Sequence, residues 1–456
     1  MNSKRAPEDE GEDESAALLG GATSEGPDEA ESIYAAKQPQ PTGLQIFMSL
    51  LFTIYIPCFL FNLAGAITDP VLPLFATSLG GSVALAGAAV SVERLTSIIF
   101  SVPSGIAFRL LGPSSTMATG AAIAGGAMVL ASQASSVDQL LAALLLLGLG
   151  NALWKIARST FIRMVVPDHL RGRAVSFNTA VSRASQVLGP TIGGFVATQR
   201  GLADAMLLRG CLALVASFFV AAVGCIKRKQ AAAAAGSKKK KKKDSGAETP
   251  PMPIRRLVWD YRRAYMTAGV SAFFLMVVKL CRKALVPLVG ASVGLGPAEI
   301  GADMSAMGIA DLALVPLAGW AMDARGRKTV GVPAMGIMAG GFVLLGLSPE
   351  VSAASGLSPT WLVLASALII GAGSGCASGL NQVLGMDHAP PSSADSATFL
   401  SVWRMMSDSG ALLGPVMAGL IAEEYGVHVA SLCVGGVGVL GGSWLACAVK
   451  AWSRHK

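Results

Sequence analysis

The sequence predicts an all-α polytopic membrane protein: twelve transmembrane helices in two pseudo-symmetric six-helix bundles. Three observations predict it. The 456 residues are 52% hydrophobic and 14% charged, against about 25% charged in soluble domains, which excludes a water-soluble globular fold. Apolar windows of the ~20 residues that a helix needs to cross a bilayer recur along the chain. Finally, Val71-Leu72-Pro73-Leu74-Phe75-Ala76-Thr77-Ser78-Leu79-Gly80 aligns with Leu285-Val286-Pro287-Leu288-Val289-Gly290-Ala291-Ser292-Val293-Gly294, and the same offset carries Gly105 onto Gly319. Two homologous halves imply a parallel repeat with a site between them near the membrane midplane.

Residues 1–42 are acidic and rich in Gly, Ala, Ser and Pro. They cannot bury a core and are expected to be disordered, and their acidity rules out a signal or transit peptide. Within them, Glu14-Ser15-Ala16-Ala17-Leu18-Leu19 resembles an acidic dileucine sorting signal, so Glu14, Leu18 and Leu19 are candidates for a sorting adaptor. Vacuolar or lysosomal and plasma membranes both stay open.

The first bundle is placed at 43–226, with spans near 45–72, 82–108, 116–133, 138–160, 176–198 and 203–226. The second is placed at 263–451, with spans near 264–288, 300–321, 329–348, 360–384, 398–421 and 430–451. A basic linker, 227–262, separates them. It holds a polyalanine run, Lys238 to Lys243 and three prolines, and it reads as disordered and cytoplasmic, either solvated or drawn to an anionic lipid surface. Residues 452–456 form a tail.

Loops bearing Arg109, Arg163/Arg171/Arg173, the linker lysines, Arg325/Arg327/Lys328 and the tail alternate with loops holding almost no Lys or Arg. Both termini are therefore expected on the cytoplasmic side. The net charge of +8 follows from this topology rather than from nucleic-acid binding. The seven cysteines lie in apolar runs without metal spacing. His169, His388, His428 and His455 lie in loops or the tail, with no catalytic set or phosphate loop beside them. No enzyme, metal or cofactor is expected; the partners are the lipid bilayer, a small-molecule substrate and protons, and the chain is expected to act as a monomer.

The stretch Gly319-Trp320-Ala321-Met322-Asp323-Ala324-Arg325-Gly326-Arg327-Lys328 joins two spans through a loop too short to leave the membrane surface. It resembles the signature loop of the major facilitator superfamily, and the resemblance implies that Asp323, Arg325 and Arg327 latch the bundles on the cytoplasmic face. Leu63-Ala64-Gly65-Ala66-Ile67-Thr68-Asp69-Pro70-Val71-Leu72-Pro73 and Ser185-Gln186-Val187-Leu188-Gly189-Pro190-Thr191-Ile192-Gly193-Gly194 resemble motifs of that superfamily's twelve-helix drug:proton antiporter branch. Gly414-Pro415 echoes the second. Ala64 and Ser185 depart from the branch pattern, as does Arg109 where an acid belongs. Physically, Gly189, Gly193, Gly194 and Gly414 allow close helix packing, and Pro190 and Pro415 permit bends. The resemblance implies alternating access and proton-coupled transport.

Ionisable residues inside spans cost at least about 2.5 kcal/mol each at a helix centre, so they mark function. Cations outnumber acids among them. This favours an anionic metabolite slightly over a drug-like compound as substrate, with a facilitated uniporter or a non-transporting sensor or scaffold as alternatives. Asp69 and Glu93 are the proton-coupling candidates, and Arg94, Lys279, Arg282 and Lys283 the substrate or cavity candidates. Lys155, Arg158, Arg183, Arg404 and Asp408 read as a cytoplasmic gate, Arg404 and Asp408 being spaced to pair on one helix. The repeat makes Asp69 and Lys283 equivalent positions; they either meet across the pseudo-twofold or snorkel separately to the outer interface.

Overall fold

The computed structural model describes residues 51–165, 168–234, 253–390 and 393–448; the acidic N-terminus with its sorting motif, the lysine block and the tail lie outside them. Among the described residues every regular element is helical. The first bundle comprises α1 (Ile56–Ile67, entered through a π-helical turn, Leu51–Tyr55), α2 (Val71–Ser78), α3 (Val83–Ile99), α4 (Ser101–Leu111), α5 (Pro113–Ser132), α6 (Val137–Val165), α7 (Asp168–Arg200) and α8 (Leu202–Ala234). After α9 (Ile254–Asp260) the second bundle comprises α10 (Val270–Ser292), α11 (Pro297–Arg325), α12 (Arg327–Gly346), α13 (Ser348–Ser355), α14 (Pro359–Cys376), α15 (Leu380–Asp387), α16 (Ser393–Tyr425) and α17 (Val427–Ala448).

Eight described helices are long and apolar enough to cross a membrane, or up to nine when α1 and α2, bent by 44° to each other, count as one span. The other three expected spans fall on α3 with α4, on α7 and on α10. The first is interrupted at Phe100, and the last two carry several charges, including Arg183 on α7 and Lys279, Arg282 and Lys283 on α10. Those charges point to a role inside the fold, because a lipid-facing helix would not tolerate them.

Two sequence expectations need correction. The linker is shorter than 227–262: α8 continues to Ala234, and Ile254–Asp260 is helical. Alanine has the best intrinsic helix propensity, so the polyalanine run prolongs α8. Leu257 is fully buried in the same apolar core as Phe399 and Trp403, which docks α9 on the second bundle. In addition, the first span is broken. Pro70 has no amide hydrogen to continue the helix, and the chain turns at Thr68-Asp69-Pro70, with the Thr68 hydroxyl donating to the Gly65 carbonyl at 3.0 Å. That turn places Asp69 between two helix segments, at the centre of the molecule.

The two halves meet along two seams. In one, α7 packs on α11: a side chain at Gly194 would strike the Pro297 carbonyl, and one at Gly301 the Pro190 carbonyl. Thr191 donates to the Ser305 hydroxyl through its amide (3.0 Å) and its own hydroxyl (2.7 Å), and the Ala298 amide donates to Thr198 Oγ1 at 3.0 Å. In the other, α3 packs on α16: Gly87 lies against the Pro415 carbonyl and Gly419 against Ala84. Ser91 donates to the Leu412 carbonyl (2.8 Å), and the Ala84 amide donates to Glu423 Oε2 (3.1 Å). These contacts lie toward the membrane face opposite the Arg325-Gly326-Arg327 turn, so the halves are joined at that remote face. Within the first bundle, Gly189 and Gly193 seat α7 against Ala66 and Ile67 of α1; Gly414 seats α16 against Val277 and Cys281 of α10.

Backbone-to-backbone contact at Gly194 leaves no room for a side chain. Gly194→Leu overpacks the seam by about 1–3 kcal/mol and is expected to part the remote ends. A cysteine placed at position 198 in a cysteine-free background should then react with maleimide about tenfold faster, a shift of ~1.4 kcal/mol. Unchanged labelling of a folded variant would show that this seam does not hold the face shut.

Candidate transport cavity

Helical spacing builds the cavity. On α6, Asn151, Trp154, Lys155 and Arg158 recur at intervals of three and four, which stacks them on one face. Asp69 enters from the break between α1 and α2, Glu93 and Arg94 from α3, Gln186 from α7, Arg209 from α8, and Lys283 from α10. These residues line a chamber of about 270 Å³ together with Phe61, Asn62 and Thr68. A smaller space of about 30 Å³ adjoins it, sharing Asp69, Gln186 and Lys283, and reaches Arg183, Arg282 and Asp311.

Both carboxylates of the chamber are engaged. The ammonium of Lys283 donates to both oxygens of Asp69, at 2.8 and 2.7 Å, across 214 residues of sequence. The two repeat-equivalent positions thus meet across the halves and do not snorkel apart. Glu93 accepts from Asn151 Nδ2 at 2.6 Å and pairs with Arg209 Nη2 at 3.7 Å. The other end of the Arg209 guanidinium donates to the Thr68 hydroxyl. Arg94, Lys155 and Arg158 line the same chamber with no carboxylate at ion-pair distance among the described residues. Lys155 Nζ donates to Ser97 Oγ at 3.4 Å. Phe61 and Trp154 stack at 4.1 Å between ring centroids on its wall.

Beside the chamber, Asp311 of α11 is a hub. Its side chain is 3% exposed; Arg183 Nη1 lies at 3.0 Å from one oxygen, and Arg282 Nη1 and Nη2 at 3.2 Å from the other. Ser374 Oγ also donates to it at 3.1 Å, and Arg183 Nη2 donates to Ser378 Oγ at 2.7 Å. Arg183 therefore ties the first bundle to α11 and to the turn between α14 and α15 of the second. A further acid of α11, Asp303, is buried, and its Oδ2 has no hydrogen-bond partner among the described residues.

The sequence candidates sort accordingly. Asp69, Glu93, Arg94 and Lys283 come together in the chamber, and Lys155 and Arg158, read as gate residues, line it too. Arg183 and Arg282 share Asp311, whereas Lys279 lines neither space. Arg404 pairs with Asp408 along its own helix at 3.6 Å.

Of the expected cytoplasmic latch, the described residues show the contacts of Arg327. Arg327 Nε bonds Asp387 at 3.1 Å and its Nη1 the Met322 carbonyl at 2.8 Å, both within the second bundle, and Arg325 is exposed. The side chain of Asp323 lies outside the described residues. Described bonds between the halves lie at the Asp69–Lys283 contact, at the hub and along the seams toward the remote face, and the Arg327–Asp387 bond braces α12 against α15. Sequence reading assigned no role to Asp311, Arg209, Asn151 or Gln186. The recurrence of Asn151 four and seven positions before Lys155 and Arg158 is the signal that marks it.

Two helical bundles closed at one face around a charged central chamber are the build of a secondary transporter. The chain belongs to the Major Facilitator Superfamily, whose model matches residues 54–280 and 276–452. Uncharacterized MFS-type transporters of Burkholderia mallei (strain SAVP1) and Burkholderia pseudomallei (strain K96243) are each 30% identical over 205 residues, 41% of this chain and 47% of theirs. The chain thus spans about half the length of the curated relatives it matches. Among solved structures, a mutant of the nucleoside transporter NupG superposes with a TM-score of 0.69 at 14% identity, covering 88% of this chain and 100% of that one. The peptide transporter POT in complex with sulfate gives 0.65 at 19% identity over 87% and 93%. These likenesses show the fold. The chain is a multi-pass membrane protein of that superfamily.

Proposed function

We propose that the protein moves a small organic anion by alternating access, with its termini on the cytoplasmic side and proton movement coupled through Asp69. The observation that carries this reading is the charge of the chamber: five cations (Arg94, Lys155, Arg158, Arg209, Lys283) face two carboxylates (Asp69, Glu93). A cationic drug would enter against that field, and an anion is drawn in by it.

The geometry supports a switch of partners. Lys283 is the sole contribution of the second bundle to the chamber, and Asp69 holds it. A substrate carboxylate or phosphate arriving from the cytoplasmic side competes with Asp69 for that ammonium. A proton taken up by Asp69 likewise releases Lys283, which loosens the tie between the halves. The glycine seams are smooth enough for the bundles to part along them. Resemblance to the antiporter branch favours exchange of the anion against protons.

The test is flux in proteoliposomes under an imposed pH gradient, with pools of organic anions and organic cations and a lumenal pH dye. Anion-dependent proton movement that disappears in Asp69→Asn is the expected result. Anion flux without proton movement would make the protein a uniporter and leave Asp69 a tether. Flux of cations alone would overturn the reading.

A further inference from the structure

Pairing off the charges of the chamber leaves a remainder with a definite composition. Asp69 is matched by Lys283 and Glu93 by Arg209, both with hydrogen-bond contact or ion-pair distances on the page. Arg94, Lys155 and Arg158 remain. Besides Lys283 in the chamber, Arg404 and Asp408 of α16 are the second-bundle charges that act on Lys155; they are paired with each other and so bring no net compensation. Lys155 and Arg158 sit one helical turn apart on the same face of α6, where like charges repel. Trp154, on that face too, is almost wholly buried. The groups left without a carboxylate at ion-pair distance among the described residues are all donors: two guanidinium groups and an ammonium.

We propose, building on the anion-transport reading, that the solute is a dianion whose doubly charged head group is held by Arg94, Lys155 and Arg158. A monoanion leaves two of the three cations uncompensated in a site walled by protein and lipid, where unpaired charge is costly. A dianion leaves one, and it offers the several acceptor oxygens that three cationic donor groups can use. Guanidinium forks suit such planar or tetrahedral oxyanions because they donate in pairs. Phosphate monoesters and dicarboxylates share this chemistry. The stacked Phe61 and Trp154 rings give the rest of the solute an apolar wall.

The experiment compares ligands that differ by one charge. Purified full-length protein in detergent is titrated at pH 8 with phenyl phosphate against methyl phenyl phosphate, and with succinate against monomethyl succinate, reading thermal stabilisation. The dianion of at least one pair is expected to bind at least about tenfold more tightly than its singly charged methyl ester, and the pair that responds identifies the head group as phosphate or dicarboxylate. Lys155→Gln and Arg158→Gln should erase the difference within a pair; Arg158→Lys, which keeps the charge, should retain part of it. Monoanions binding as tightly as dianions would overturn the dianion while leaving an anion transporter. Stabilisation by none of the four, together with absence of anion flux in proteoliposomes, would overturn both. The wild-type comparison stands even where a variant fails to fold.

Discussion

Replacing Asp311 by alanine is expected to cost about 3–5 kcal/mol of stability, the penalty for breaking a buried ion pair by removing one partner. Two guanidinium groups and a serine hydroxyl converge on this carboxylate, and its removal leaves Arg183 and Arg282 facing each other with no counter-charge at the membrane interior. Thermal unfolding of the purified protein checks this. Asp311→Asn, which keeps an acceptor for Ser374 but not the charge, should fall between wild type and alanine. Adding Arg282→Gln to Asp311→Asn should recover part of the loss, because the second substitution removes one of the stranded cations. Additive losses, or a melting temperature unchanged in Asp311→Ala, would show that the hub contributes no net stabilisation.

The second large effect falls on transport. Asp69→Lys and Lys283→Asp each place two like charges at a contact of 2.7 Å and are each expected to lower uptake by at least about tenfold, equivalent to ~1.4 kcal/mol. The double variant restores opposite charges with exchanged positions, and most of the activity should return. Directly contacting residues couple by about 0.5–3 kcal/mol in such cycles, so the rescue is measurable against either single change. If the swapped protein folds and stays as inactive as the single variants, the contact is a bystander of this conformation.

How far the sequence shows these features depends on how local their causes are. The spans are legible because a bilayer tolerates only helices whose polar backbone is satisfied internally, which forces long apolar runs. The Asp69–Lys283 contact is legible through the repeat, since internal symmetry makes the two positions equivalent. The turn at Asp69 follows from Pro70. The Asp311 hub is not legible: its partners lie 128, 29 and 63 residues away on three helices, and no spacing rule connects them. Asn151 is likewise 58 residues from Glu93. Lys155 and Arg158 were assigned to a gate from their depth along the helix, but depth says nothing about which way a helix face turns. The linker misled for a different reason. Lysines and arginines dominate its composition, with three prolines near its end, yet its two ends follow the propensity of their own few residues, alanine in α8 and a buried Leu257 in α9.

The chamber belongs to the first bundle except for Lys283. On the proposed reading the duplicated halves divide their labour: one copy carries recognition, and the other supplies a single tether together with the carboxylate of a hub that Arg183 of the first bundle shares. A chimera that grafts residues of the first bundle onto a related transporter should carry solute selectivity with them, provided its partner half keeps a lysine where Lys283 stands. Selectivity can then drift on one half of the gene while the machinery of rocking is conserved on the other.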